Sequence, residues 1–217
     1  VSPGVGSAKG SRTQEERSAA TRQLLLDATV DCLVRYGYAG TTTTRIAELA
    51  GVTRGALVHH FPSRADLVSA AVRHLASKRA EVAFARLEAL RGSADPIPAA
   101  LDMLWEVHQG SVFLATAELW VAARADATLA EQVDRFEPMV TGTLMEFSRA
   151  LFPVLAGHPE FRHWLYTSMD VIRGILVSDP AGHEPDRLAR RWQRARRHLL
   201  LLAEVLFDRV GPASATR

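Results

Sequence analysis

Residues 41–64, TTTTRIAELAGVTRGALVHHFPSR, constrain the fold more than any other stretch of this chain. They read as two short helices joined by a tight turn and running directly into a third. Thr43 or Thr44 can cap the first helix, and Ile46, Ala47, Leu49 and Ala50 give it an apolar side. Gly51 stands where a helix must stop and the chain must turn, because glycine enters positive φ without a steric penalty. Val52 plugs the gap between the helices. Thr53 holds an N-cap position, where its hydroxyl accepts a bond from a free backbone N–H. Arg54 to His60 form the second helix, and Pro62 ends it. Leu57 and Phe61, four apart, face inward, while Arg54, Gly55, Val58 and His59 lie largely outward. This is the pattern of a helix-turn-helix. Its second helix is narrow enough to enter a DNA major groove with its N-terminal residues at the base edges.

The stretch resembles the DNA-binding domain of the tetracycline-repressor (TetR) family of bacterial transcription regulators. The similarity is dense from Leu25 to Leu67. It takes in Leu25, Ala28 and Leu33, then Gly37-Tyr38, Thr42-Thr43, Ile46-Ala47 and Ala50-Gly51-Val52, and continues through Thr53, Gly55, Leu57, His60-Phe61 and Ser63. Two positions depart: Val58 stands where the family usually has Tyr, and Arg64 where it usually has Lys. The first removes a phosphate or base contact; the second keeps the charge. The resemblance implies an all-α fold. An N-terminal three-helix helix-turn-helix domain would be joined by a long fourth helix to a helical ligand-binding and dimerisation domain, about nine helices in all. It also implies DNA contacts at Thr43, Thr53, Arg54, Gly55, His59, His60 and Arg64.

Physical roles can be given to the same residues. Thr43 and Thr53 would bond phosphates through hydroxyls and first-turn N–H groups. Gly55 lets backbone approach backbone. Arg54 points into the groove and can take a guanine edge in bidentate fashion. His59 and His60 can reach bases or phosphates, although His60 has a second reading as packing beneath the turn. Arg64, opening the next helix, would clamp a phosphate. Arg45 reads equally as a contact or a solvated charge.

Composition fits a polyanion partner without demanding one. The net charge is only +2 over 217 residues, but residues 1–79 carry 11 Lys+Arg against 6 Asp+Glu, and the remainder carries 15 against 18. The positive excess thus lies on the half that holds the helix-turn-helix. The single cysteine, Cys32, excludes an internal disulfide framework and reads as a buried thiol in a reducing cytoplasm. No apolar run approaches the roughly 18 residues of a membrane span. The expected location is the bacterial cytoplasm, on the nucleoid when DNA is bound.

Three segments are expected. Residues 1–12 form a disordered Gly/Ser-rich tail, either solubilising or a basic arm carrying Lys9 and Arg12; 13–62 form the helix-turn-helix domain; 63–217 form a helical effector and dimerisation domain, opening with a linking helix over 63–91. Helix one runs from about Gln14 to Tyr36, with a Thr13/Glu16 capping box and Leu25, Ala28, Cys32, Leu33 and Tyr36 at helical intervals. Gly37 closes it. Ser63 and Asp66 cap a fourth helix reaching Leu90, roughly 40 Å long; Leu67, Ala71, His74/Leu75, Lys78 and Val82 trace its inner side. Further helices run from Pro96 (capped by Asp95) to His108, from Gly110-Ser111 to Ala125, and from Asp126 to Phe152 with a kink or split at Pro138. The last two run from Pro159 to Val177 and from Pro185 to Val210.

In the last two helices Phe161, Leu165, Ile172, Leu188, Trp192, Leu199 and Leu206 mark apolar seams. They suggest a homodimer built as a four-helix bundle, an arrangement the resemblance also implies, with ordinary core packing as the alternative. Two recognition helices related by a two-fold axis would read a palindromic double-stranded operator with half-sites ~34–36 Å apart. Trp105, Phe113, Trp120, Met139, Phe147 and Met169 are aromatic or soft residues beyond the needs of a simple bundle, and His108 is a polar group on the apolar face of Leu101, Leu104 and Trp105. These form the expected pocket for a small apolar or aromatic effector. For His108 a satisfied core histidine is the other reading, and Glu118 can face solvent, a ligand or an arginine. The resemblance implies release of DNA when ligand binds, by population shift through the fourth helix. The chain lacks Gly-x-Ser-x-Gly, a P-loop and His-Glu-x-x-His, and His158 and His163 show no metal spacing. No enzyme activity, metal or cofactor is expected. A helical interaction module that never touches DNA, and an activator rather than a repressor, are the other readings.

Overall fold

The computed structural model describes residues 13–178 and 185–207, with the side chains of Val72, Arg79, Ala83, Glu88, Phe136, Glu137, Met139, Val140 and Pro185 outside the description. The N-terminal tail, the Ser178–Gly182 break beyond Ser178, and the last turn to Val210 therefore lie outside the described residues. So does the Met139 side chain expected in the pocket.

The described chain forms α1 (Gln14–Gly40), α2 (Thr43–Ala50), α3 (Arg54–His60), α4 (Arg64–Ala85), α5 (Leu87–Arg91), α6 (Pro96–Val107), α7 (Ser111–Ala123), α8 (Ala127–Leu151), a 3-10 turn (Leu155–Gly157), α9 (Pro159–Val177) and α10 (Pro185–Phe207). No strand occurs among the described residues. The fold is all-α, as expected.

Local chemistry sets most of the boundaries. The Thr13 hydroxyl accepts from Glu16 N at 3.2 Å while Thr13 N donates to Glu16 Oε2 at 2.8 Å, a complete capping box at the start of α1. Gly37 interrupts α1 at φ 64°, ψ 178°, a backbone conformation that only glycine adopts at low cost. Gly51 ends α2 in the left-handed region at φ 66°, ψ 30°. The Thr53 hydroxyl caps α3 by accepting from Ala56 N at 3.2 Å. Ser63 and Asp66 exchange bonds across the first turn of α4, and Asp126 accepts from Leu129 N at 3.0 Å to cap α8.

Several expectations are corrected. Thr42, not Thr43 or Thr44, caps α2, accepting from Arg45 N at 3.3 Å. Leu49 is 39% exposed, because Ile46 and Ala47 already fill the inner side of so short a helix. Tyr36 is also exposed; it lies past the last buried turn of α1, with Arg45 over its ring at 4.4 Å. Asp95 stands at the N-cap of α6 without a side-chain bond. The expected 63–91 helix is broken at Arg86, so that Leu87 and Leu90 turn onto α6 and α8 while Val82 stays exposed. α4 alone spans roughly 33 Å at 1.5 Å per residue. Pro138 does not split α8.

Leu25, Leu26, Cys32, Ile46, Leu57, Phe61, Leu67 and Ala71 form one core from α1 to α4. Val30 and Leu33 on α1 with Leu75 on α4 form a second, with Ala115 and Leu119 on α7 and Leu129 on α8. That second core seats the helix-turn-helix against the remaining helices. The third core joins α6, α9 and α10. Trp105 and Trp192 stack at 4.6 Å, Trp164 Nε1 donates to Leu199 O at 2.9 Å, and Arg196 grips Asp102 with two bonds of 2.6 and 2.8 Å.

This third core corrects the expected dimer seam. Phe161, Leu165, Ile172, Trp192 and Leu199 are closed inside a single chain, and Leu188 and Leu206 pack partly buried against them. Helical periodicity identifies a buried stripe, and the chain's own helices bury five of its seven residues, leaving Leu188 and Leu206 partly exposed.

Candidate nucleic-acid interface

α3 presents its outer face because Leu57 and Phe61 anchor the other side with no more than 4% exposure. Thr53, Arg54, Gly55, Val58 and His59 are exposed; Thr43 on α2 and His60 are half-buried. A Cβ on Gly55 would meet nothing nearer than Thr53 Oγ1 at 3.9 Å. Packing within the chain therefore does not require glycine there. A glycine costs roughly 0.8–1 kcal/mol against alanine in a helix. The uncovered backbone it leaves is a surface on which another backbone can approach closely.

His59 and His60 meet edge to face at 5.5 Å. Burial first, then the neighbouring His59 and Arg22 charges, hold the His60 imidazole below its ordinary value, so the free interface favours it neutral.

Arg64 is not where the sequence placed it. Its guanidinium lies over the Tyr38 ring at 4.2 Å and donates to Tyr38 O at 2.6 Å, and its Nε is buried with no hydrogen bond among the described residues. The Tyr38 hydroxyl in turn donates to Asp126 Oδ2 at 3.2 Å. Asp126 is held below its ordinary value, chiefly by the Leu129 N–H and then by Tyr38 and the Arg64 charge. An arginine beside the recognition helix is thereby tied to the N-terminus of α8. Sequence reasoning missed this link because no periodicity marks a contact between residues 88 apart. Arg45 also turns inward, donating to Gly40 O at 2.5 Å.

A second polar bridge joins α1 to α4. Asp27 Oδ1 accepts from Lys78 at 2.6 Å and stands 2.9 Å from His74 Nε2. Burial raises the Asp27 carboxyl, but bonds from Lys78, His74 and Gln23 together outweigh it and hold the group below its usual value.

The helical body holds an apolar cavity of about 70 Å³, lined by Ala76 and Ala80 of α4, residues of α6 and α8, and Met169 and Arg173 of α9. Of the residues expected in a pocket, His108, Phe147 and Met169 line it. Phe113 and Trp120 form a shell beside it, with His108–Phe113 rings at 5.6 Å, Phe113–Trp120 at 6.2 Å and Arg173 over Trp120 at 4.8 Å. Trp105 does not line it, being stacked in the α6–α10 core. His108 is 4% exposed and lines the cavity; its Nδ1 donates to Leu104 O at 2.7 Å, since a carbonyl can only accept. Thr143 and Arg173 were not foreseen as lining residues. Glu118 is exposed, its Oε2 3.0 Å from the point a Gly37 Cβ would occupy. No helix among the described residues is long and apolar enough to cross a membrane.

Known proteins match this geometry. The family model for bacterial regulatory proteins of the tetR family matches residues 25–71. The HTH-type transcriptional regulator CymR of Pseudomonas putida is 36% identical over 187 residues, covering 82% of this chain and 89% of that protein. An uncharacterised HTH-type transcriptional regulator of Mycobacterium tuberculosis is 31% identical over 175 residues, covering 76% of this chain and 88% of its own length. Among solved structures, the multidrug binding protein EbrR complexed with imidazole has the same fold at a TM-score of 0.58 and 24% identity, over 83% of this chain and 93% of that one. The helix-turn-helix cradled by α1 and α4, and relatives matched well beyond it, show that the chain belongs to the TetR family of bacterial regulatory proteins, which are DNA-binding transcriptional regulators and not enzymes.

Proposed function

We propose that the chain is a homodimeric repressor, held on a palindromic operator by two copies of α3 and released by a small apolar or aromatic ligand. The observation that carries this reading is the exposed face of α3, where a glycine with no packing reason sits between Arg54 and the His59/His60 pair. Thr53 and Thr43 offer hydroxyls to phosphates, Arg54 takes a guanine edge, and Gly55 admits the DNA backbone. His59 and His60 reach bases or phosphates at the end of the helix. Arg64 acts through Tyr38 and Asp126, fixing the angle of α3 against the body, instead of clamping a phosphate directly.

The functional division runs at residue 62: 13–62 read DNA, and 63–217 bind ligand and dimerise. The dimer is assigned to the outer face of α9 and α10. Leu201, Leu202 and Val205 are 52%, 40% and 55% exposed on one side of α10, and Val177 is 48% exposed on α9, where Gly174 leaves open space for a close helix. The ligand enters the cavity at Phe147, Met169 and His108. At about 70 Å³ that cavity is too small for a drug-sized molecule, whose sites run to roughly 300–1,000 Å³. Ligand binding therefore requires α4, α6 and α8 to part, which moves α4 and with it the spacing of the recognition helices. Repression is supported by the relative AcnR of Corynebacterium glutamicum, named a transcriptional repressor and 34% identical over 79 residues. Ligand binding is supported by the imidazole and proflavin complexes of EbrR. The proposed site of action is the bacterial cytoplasm, on the nucleoid.

A footprint on the DNA upstream of the gene tests the reading. The expected result is a two-fold symmetric protected site that vanishes with Arg54→Ala. Absence of any protected site at low salt refutes it.

A further inference from the structure

Four arginines crowd one end of the molecule without an ion pair among the described residues. Arg187, Arg190, Arg191 and Arg194 of α10 and Ser178 at the end of α9 line an open cleft of about 570 Å³. Their spacing places all four guanidinium groups on one side of the helix. Like charges at three- and four-residue spacings oppose helix formation, and Arg187 lies in the first turn, where the helix dipole disfavours a cation. Asp186 shares that first turn, but none of the four forms an ion pair among the described residues. The nearby Arg196 differs, gripping Asp102 at 2.6 Å. In sequence, residues 178–197 hold six arginines and three acids.

One arginine is already positioned. Arg191 Nη2 donates to Ser178 Oγ at 2.6 Å, and the Ser178 hydroxyl donates to Gly174 O at 2.5 Å. The serine thus ties the Arg191 fork to the end of α9, while Arg187, Arg190 and Arg194 remain exposed around it. The cleft volume falls within the roughly 300–1,000 Å³ of small-molecule sites. Its chemistry is opposite to that of the apolar cavity. Guanidinium forks match phosphoryl oxygens two at a time.

The geometry points to a second ligand site, a cleft for a compact soluble polyphosphorylated anion, built from Ser178, Arg187, Arg190, Arg191 and Arg194. The four arginines span roughly 10 Å along α10, a length that a short chain of linked phosphoryl groups covers. A nucleic-acid duplex would need a longer track and a protruding element, which a cleft does not supply.

Inorganic tripolyphosphate is the probe, titrated calorimetrically into the full chain at constant ionic strength, with orthophosphate and an arbitrary-sequence duplex alongside. The expected result is saturable binding of one tripolyphosphate per chain, tighter than orthophosphate. The Arg190→Ala/Arg194→Ala variant should bind it at least tenfold more weakly, with duplex binding unchanged. Arg190→Lys/Arg194→Lys keeps the charge but loses the forks, and should fall between; it carries the test if the alanine variant does not fold. No saturable tripolyphosphate heat, equal binding by the alanine variant, or a matching loss of duplex affinity would each overturn the assignment. None of these outcomes touches the operator reading, which rests on α3.

Discussion

Replacing Gly37 by alanine tests how α1 is tied to the body. At φ 64°, ψ 178° the residue occupies a region where a Cβ costs about 1–3 kcal/mol. Alanine restores roughly 0.4–1 kcal/mol by restricting the unfolded chain. A second effect opposes the substitution: the new Cβ would lie 3.0 Å from Glu118 Oε2. Glu118 is exposed, so its carboxylate can rotate away at little cost. The backbone term therefore dominates, and a net loss of about 1.3 kcal/mol is expected from the middle of the two ranges, with roughly 2–4 °C in melting temperature for each kcal/mol. Urea unfolding of the wild type, Gly37→Ala, Glu118→Ala and the double variant separates the causes. Backbone strain predicts that the double variant stays nearly as destabilised as Gly37→Ala. Full rescue by Glu118→Ala, or a Gly37→Ala protein as stable as the wild type, would refute the argument.

Three further outcomes are expected. Arg54→Ala should weaken operator binding by about 1–3 kcal/mol and relax sequence preference, whereas Arg64→Ala should lower folding stability through the lost Tyr38 contact and weaken all duplexes alike, as anisotropy titrations at two salt concentrations would read. Because the folded His60 imidazole lies below its ordinary 6.5, its contribution to stability is present above that pH and is lost as pH falls. DNA phosphates favour the cation, so operator affinity should instead rise on acidification toward pH ~5.5, and His60→Gln should flatten that rise, with His59→Gln as the comparison. Leu201→Glu combined with Val205→Glu should give a folded monomer by sedimentation, since both side chains are exposed in the single chain.

Features encoded locally were legible in the sequence. The Thr13/Glu16 box, the Ser63/Asp66 exchange and the Gly51 turn each depend on residues within one helical turn, and all three stand as read. Features that depend on which helices meet were not. Leu199 and Leu201 both lie on apolar stretches of α10, yet one is 5% and the other 52% exposed, because only the neighbours decide which stripe is filled. The same limit hid the inward turn of Arg64. Its charge was plain, but the Tyr38 ring that receives it is placed by Gly37 and by α8. His108 was legible as a cavity residue from its helical face and Phe147 from the abundance of aromatic and soft side chains; Trp105, on the same face as His108, is drawn instead into a stack with Trp192.

The most direct measurement of the central claim is the number of chains on one operator duplex, read by sedimentation velocity on the purified complex. Two chains per palindromic duplex, with each half-site alone binding far more weakly, is the predicted result. A single chain bound with undiminished affinity to an isolated half-site would contradict it.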